Sequence, residues 1–434
     1  MVERRSFIKT VGAATGLGLV GSGAAAQSDG DSDDANTVKP NERLVGTWSA
    51  APVPPADAGP SSTGFSDQTL RQVVHTSVGG DGVRIRLTNQ YGDRPVTFDR
   101  VTVGVRDAGA SVVPGTTRTL TFGGEESVLV PAGAEAYSDP VRLDVAADQD
   151  LLVSLYTPDA TGPATFHPLA LHTAYAADGD RAAATGGAGF SSVGHSWFFL
   201  KGVDVVTREN VGTIVALGDS ITDGFNSTDG ADHTWPDYLA RRLTERDDIH
   251  RSVVNAGISG NRVLHDSLAS GSFGNNALAR LDHDVLAQPG VTDVVLLEGI
   301  NDIGQRPPAV SADAIIDGLR QIAVQLHARG INVFAGTLTP TYGSGDIYGD
   351  AYDSAAGEAK REAVNEFIRT SDVFDGVIDF DAAIRDPDRP DRMLPKYDSG
   401  DHLHPGDAGY EAMANAVDLS LFKGRRHARH PPTQ

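Results

Sequence analysis

The apolar pattern changes its period once, near Thr213, and that change constrains the fold more than any other feature of the chain. Before it, from Leu44 to about Val206, the period is two. Val83, Ile85 and Leu87 alternate with Arg84, Arg86 and Thr88; Val101, Val103 and Val105 alternate with Thr102 and Gly104; Val141, Leu143 and Val145 repeat the pattern. Successive side chains of a strand point to opposite faces, so this alternation marks half-buried strands. Turn signals such as Gly79-Gly-Asp-Gly82 and Tyr91-Gly-Asp-Arg-Pro95 separate the runs at short intervals. Short strands without long helical segments predict an antiparallel β-sandwich or jelly roll.

After Thr213, short apolar runs at 214–217, 252–255, 291–297, 331–336 and 377–380 alternate with amphipathic segments at 236–246, 277–288, 356–370 and 408–421. The clearest helix starts near Ser311 and sets Ile315, Leu319, Ile322 and Leu326 on one face, with Gly330 past its end. Such alternation predicts an α/β domain: a parallel sheet with helices on both faces. Ligands of such sheets sit at the carboxyl ends of the strands, and the chemically suggestive residues fall there. Ser220 follows the first run, in Gly218-Asp-Ser220. Gly257-Ile-Ser-Gly-Asn261 follows the second and Gly299-Ile-Asn-Asp302 the third, while Asp401-His-Leu-His404 precedes the last helix.

A serine hydroxyl needs a base, a group that orients the base, and donors for the oxyanion. Asp401 precedes His404 by three residues, close enough for one turn of loop to bring its carboxylate to Nδ1 and leave Nε2 for Ser220. Gly260 allows an amide to approach an oxyanion without an intervening Cβ, and Asn301 can donate without adding charge. His402 competes with His404 for the base, and Asp379 and Asp381 compete with Asp401. Asp223 and Asp302 suit loop-holding roles through backbone N–H groups. Substrate specificity falls to two polar loops, 262–276 and 342–353, and the candidate contacts are Asn261, Phe273, Tyr342 and Tyr348.

The four ordered blocks, Gly218-Asp-Ser220, Gly260 in Ile-Ser-Gly-Asn, Gly299-x-Asn301-Asp302 and Asp401-x-x-His404-Pro405, resemble those of the SGNH, or GDSL, hydrolases. The resemblance implies a flavodoxin-like SGNH domain with Ser220 as nucleophile, His404 as base and Asp401 as its orienting acid. It also implies the Ser220 N–H, the Gly260 N–H and the Asn301 amide as oxyanion donors, with no cofactor and no metal. The preceding β-rich half is similar to that of secreted two-domain esterases, including arylesterases and acetylxylan esterases. A secreted esterase for short acyl groups on polysaccharide is the reading that follows. A broad arylesterase or lysophospholipase-like acylhydrolase is its alternative, and a non-catalytic polysaccharide-binding surface protein the contrasting one.

Composition narrows the partners. Lys+Arg number 36 against Asp+Glu 58, a net charge of -22, which opposes binding to nucleic acid or anionic membrane and fits a halophilic surface. The chain has no cysteine, which excludes disulfides and thiolate chemistry. Arg4-Arg5, followed by Phe7-Ile8 and a Gly/Ala-rich stretch to Ala26, has the form of a twin-arginine export signal, and the mature protein is expected outside the cell. No histidine pair shows a helical ligand spacing. The expected organisation is a signal at 1–26, an acidic linker at 27–41, a β-sandwich at 42–206, a catalytic domain at 207–423 and a basic tail at 424–434.

Overall fold

The computed structural model describes residues 38–267, 273–305 and 309–423. The expected signal, residues 27–37 of the linker and the tail lie outside the described residues.

In the second half, β1 (Gly212–Gly218), β2 (Arg251–Gly257), β3 (Val291–Leu297), β4 (Asn332–Gly336) and β5 (Gly376–Ile378) form one parallel sheet in the order β2-β1-β3-β4-β5. β1 has a neighbour on each side and every one of its residues is buried, which is why its sequence is apolar without alternation. Chain direction reverses across the sheet after β2, so right-handed connections place helices on both faces. Trp235–Thr244 packs with Asp407–Ala416, and Ala312–His327 packs with Ala355–Thr370. The switch point lies beside the carboxyl end of β1, where an open α/β sheet binds its ligand.

The helix boundaries follow local chemistry. Ser311 caps the Ala314 N–H of Ala312–His327, and the buried face carries Ile315, Leu319, Ile322 and Leu326. Thr234 and Asp237 form a reciprocal capping box for Trp235–Thr244. The expected continuous helix at 277–288 is instead an α-turn, Ala277–Leu281, that widens into a π-turn, Asp282–Leu286. Arg280 and Asp284 are buried there as a pair, 3.2 Å apart.

The first half is two antiparallel sheets packed face to face. One contains Arg43–Ser49, Leu200–Thr207, Gly80–Thr88, Glu135–Tyr137 and Val141–Val145; the other runs Ser191–Gly194, Ala174–Asp178, Gln68–Thr76, Gln149–Thr157, Arg100–Val105, Arg118–Leu120. Val83, Ile85, Leu87 and Val203 from the first meet Leu70, Val101, Val103, Leu151 and Val153 from the second. Phe198 and Phe199 are buried, and Trp197 donates its ring N–H to the Val73 carbonyl at 2.7 Å, so this stretch is core and not a stacking platform.

Period two locates the outward residues but does not say what covers them. Arg86 lies on the outward face, yet it is fully buried: its guanidinium reaches Gln288 of the second half at 2.5 Å and Asp204 at 3.2 Å. Lys201, also fully buried, pairs with Glu135 and reaches Asp284 at 3.9 Å. The Gly46 N–H donates to the Pro289 carbonyl, Ser49 Oγ to the Asn255 carbonyl, and the Val253 N–H to Ser77 Oγ. The sandwich thus lays one sheet against the edge strand β2.

Candidate active site

Ser220 occupies the turn at the end of β1. A Cβ on Gly218 would lie 2.2 Å from Thr222 Oγ1 and 2.5 Å from the Leu297 carbonyl, so only glycine passes there. Asp219 then caps the single-turn helix Ser220–Asp223, accepting from the Ile221 N–H at 3.0 Å. Ser220 Oγ lies 2.7 Å from His404 Nε2, and His404 Nδ1 lies 2.7 Å from Asp401 Oδ2. All three side chains are buried or nearly so.

Asp401 collects five donors. Its Oδ1 accepts from the Leu403 and His404 N–H groups at 2.9 and 2.8 Å; its Oδ2 accepts from His404, from Asn226 Nδ2 at 2.8 Å and from the Tyr348 hydroxyl at 2.9 Å. Burial alone would raise its pKa, but the imidazole and the backbone donors hold the carboxyl well below the usual carboxylate range. The Tyr348 ring stands edge-on to His404 at 5.5 Å and the Phe225 ring lies 4.7 Å from it, which fixes the imidazole plane.

Each expected oxyanion donor keeps an N–H without an acceptor among the described residues. Among the described residues, neither the Ser220 N–H nor the Gly260 N–H has an acceptor. Asn301 Nδ2 donates one proton to the Asn261 carbonyl at 2.9 Å, and its second N–H has no acceptor among the described residues. The Tyr352 hydroxyl donates to Asn301 Oδ1 at 2.7 Å, which settles which way the amide faces. Gly260 has φ +78°, and a Cβ there would lie 2.5 Å from the Phe273 ring; backbone handedness and the ring both demand glycine.

Residues 216–412 match the model of the GDSL-like lipase/acylhydrolase family, a span that contains Ser220, Gly260, Asn301, Asp401 and His404. The C-terminal half is a GDSL-like lipase/acylhydrolase domain. The chain is similar to the solved structure of a GDSL-like lipase from Bacteroides thetaiotaomicron, at 19% identity over 48% of this chain and 87% of that one, with a TM-score of 0.37. It is similar to a carbohydrate acetylesterase family member from Sinorhizobium meliloti, at 18% identity over 47% and 94% with a TM-score of 0.37. A lipase/acylhydrolase from Enterococcus faecalis gives 20% identity over 47% and 92% with a TM-score of 0.36. No curated protein matches the chain.

The competing residues of the GDSL domain are otherwise engaged. His402 has φ +64° and pairs with Asp398 at 2.5 Å. Asp381 is bound by Arg361, Arg369 and Arg385, and Asp379 by Arg369. Asp302 accepts from the Val263 and Leu264 N–H groups at 2.7 and 3.2 Å. Asp223 Oδ2 accepts from the Ser259 N–H and hydroxyl at 2.9 and 2.8 Å, while its Oδ1 meets His167 of the sandwich at 2.9 Å.

The four candidate substrate contacts separate. Asn261 is corrected: it is 1% exposed, its amide donates to the Phe273 and Asn275 carbonyls, and its Oδ1 accepts from Arg280, so no side-chain atom remains for substrate. Tyr342 is exposed and lies over Arg392 and Arg389, with no contact to the triad residues among the described residues. Phe273 and Tyr348 both flank the site at the surface, but Tyr348 also bonds Asp401. The sequence gives no signal for Asn226 and marks Tyr352 only as an aromatic residue of the second polar loop, since contacts across 175 and 51 positions give the two their roles.

The Ser220 turn rests on buried acids. Burial pushes Asp219 up to about 7, helped by the neighbouring Asp302 and Asp223, and pushes Asp302 up to about 6 against its two backbone donors. Burial and the Asp219 charge raise Glu298 well above its ordinary value, and neither of its carboxyl oxygens has a hydrogen-bond partner among the described residues. Arg280 is the balancing cation: it donates to the Gly218 and Ala256 carbonyls at 2.9 and 2.6 Å and lies 3.9 Å from Glu298.

Proposed function

We propose that the protein is an exported serine esterase that removes short acyl groups, acetyl foremost, from polysaccharide. The observation that carries the reading is the unbroken line Ser220 Oγ, His404, Asp401, with 2.7 Å at each junction. Ser220 Oγ attacks the ester carbonyl carbon as its proton passes to His404 Nε2. The new oxyanion faces the Ser220 and Gly260 N–H groups and the second N–H of Asn301. The carbon–oxygen bond to the leaving alcohol breaks as that oxygen takes the proton from His404. Water then attacks the acyl-Ser220 ester, giving a proton to His404, and Ser220 departs with that proton restored. Asp401 keeps Nδ1 protonated and offsets the imidazolium charge.

Aromatic Phe273 and Tyr348 stand exposed beside polar loop residues, a rim that suits a sugar face or an aryl group. The loops lack the apolar length of a lipase lid, which argues against long acyl chains. The Arg4-Arg5 signal supports export, and the -22 charge supports function in high salt. The test compares acetate release from acetylated xylan with a p-nitrophenyl ester chain-length series in molar salt. Preference for acetyl supports the reading; preference for long chains replaces it with the lysophospholipase-like one, and no turnover by folded protein leaves the binding-protein reading.

A further inference from the structure

At the seam between the sandwich and the GDSL domain, three side chains from separate segments converge. His75 and Asp150 sit opposite each other on the paired strands Gln68–Thr76 and Gln149–Thr157, and Asp232 approaches from the loop before Trp235–Thr244. His75 Nδ1 lies 2.8 Å from Asp150 Oδ1 and 3.3 Å from Asp232 Oδ2, and the three atoms fall within 4.8 Å of one another. An imidazole nitrogen carries at most one proton, yet two carboxylate oxygens face this one.

The far side of each residue is already held. His75 Nε2 meets Asp148 at 3.0 Å, Asp150 Oδ2 accepts from Arg106 at 2.6 Å, and Asp232 Oδ1 meets His172 Nε2 at 2.7 Å. Outer partners of this kind orient metal ligands: a carboxylate on one imidazole nitrogen leaves the other nitrogen's lone pair free. Separations near 3 Å are those of ligand atoms placed about 2.0–2.2 Å from a small divalent ion. A cavity of about 70 Å³ adjoins the cluster, bordered by His75, Asp148, His172, Asp232 and Asp237, and can hold the waters that complete a coordination shell. Its lining does not include Ser220 or His404.

We infer that His75, Asp150 and Asp232 bind a divalent transition-metal ion, Zn²⁺ by the chemistry of the donors, that clasps the sandwich to the GDSL domain. Calcium would require six to eight oxygens, whereas one imidazole and two carboxylates suit zinc. The ligands come from positions far apart in the chain, so no local spacing reveals them. The role is structural, since the serine chemistry takes place outside this cavity.

The test titrates Zn²⁺ into EDTA-treated, dialysed full-length protein at constant ionic strength, against a chromophoric chelator, with thermal unfolding recorded in parallel. One ion bound per chain, with unfolding shifted upward by several degrees, is the expected result. His75→Gln and Asp232→Asn should each weaken uptake by about tenfold or more, and Asp148→Asn, which removes only an outer partner, by about 10–100-fold. The wild-type titration decides without any variant: absence of stoichiometric Zn²⁺ uptake overturns the proposal. Uptake unchanged in folded His75→Gln and Asp232→Asn protein, or a shift that Mg²⁺ reproduces equally, overturns it too.

Discussion

The Tyr352 hydroxyl donates to Asn301 Oδ1 at 2.7 Å, and that bond fixes which end of the Asn301 amide is the donor. With Asn301 Nδ2 also bonded to the Asn261 carbonyl at 2.9 Å, the side chain has one free proton and one allowed orientation. Asn301→Ala should lower kcat by about 10²–10³-fold, the usual loss for one oxyanion donor. Tyr352→Phe keeps the ring but frees the amide, and should lower kcat by about tenfold with little change in KM. Steady-state kinetics on p-nitrophenyl acetate checks both; a change confined to KM would place Asn301 at substrate binding instead.

Asn226 and Tyr348 share Asp401 Oδ2 with His404. Bonds to a charged group are worth about 1.5–3 kcal/mol, but four donors remain after either is lost. Tyr348→Phe and Asn226→Ala should each lower kcat by about two- to tenfold, and the double variant by more than the product of the two, since each donor compensates for loss of the other. Full additivity would mean that the two side chains act independently of Asp401.

His167 of the sandwich meets Asp223 at 2.9 Å, and Asp223 holds Ser259, the residue before Gly260. Ile258, one residue further back, is buried in the sandwich core. The sandwich therefore fixes the loop that carries an expected oxyanion donor. His167→Ala leaves Asp223 buried without its partner and should destabilise the fold by about 3–5 kcal/mol. Burial would lower the His167 pKa, but Asp223 and backbone carbonyls raise it overall. The stabilisation is then complete below the unfolded value, near ~6.5, and fades as pH rises through the folded one. Denaturant melts from pH 6 upward should show wild type losing stability where a folded His167→Gln variant does not.

Asp219 and Glu298 act in the same sense, over a range that starts at lower pH. Their folded pKa values are raised by burial, so the native state holds more protons than the unfolded chain and stability falls as pH rises from about 4 to about 7. Glu298→Gln removes one buried charge and should flatten this decline, giving a higher Tm than wild type at pH 8 and little difference at pH 4. A Tm lowered equally at both pH values would mean that the carboxylate is needed in ionised form.

The parts of the architecture that were readable in the sequence are those set by local periodicity. β1 is apolar throughout because it is central, and Ile315, Leu319, Ile322 and Leu326 share a face because a helix turns every 3.6 residues. The blocks around Ser220, Gly260 and Asn301 stand at strand ends because an open parallel sheet presents its loops there. What the sequence hides is pairing over distance. Tyr348 read as a substrate contact because an exposed loop tyrosine looks like one; its bond to Asp401 spans 53 positions. Asn261 read likewise, yet it is enclosed by carbonyls of its own loop and by Arg280. Arg86 alternates as a surface residue should, and only the docking of the second half buries it.

The central claim is that Ser220 becomes acylated through His404. The most direct measurement is mass spectrometry of the intact protein and its peptides after reaction with an alkyl fluorophosphonate in molar salt. The account predicts one adduct per chain, on the peptide containing Ser220, and its disappearance in Ser220→Ala and its strong slowing in His404→Ala. An adduct on another residue, or ester hydrolysis that survives in Ser220→Ala, would contradict it.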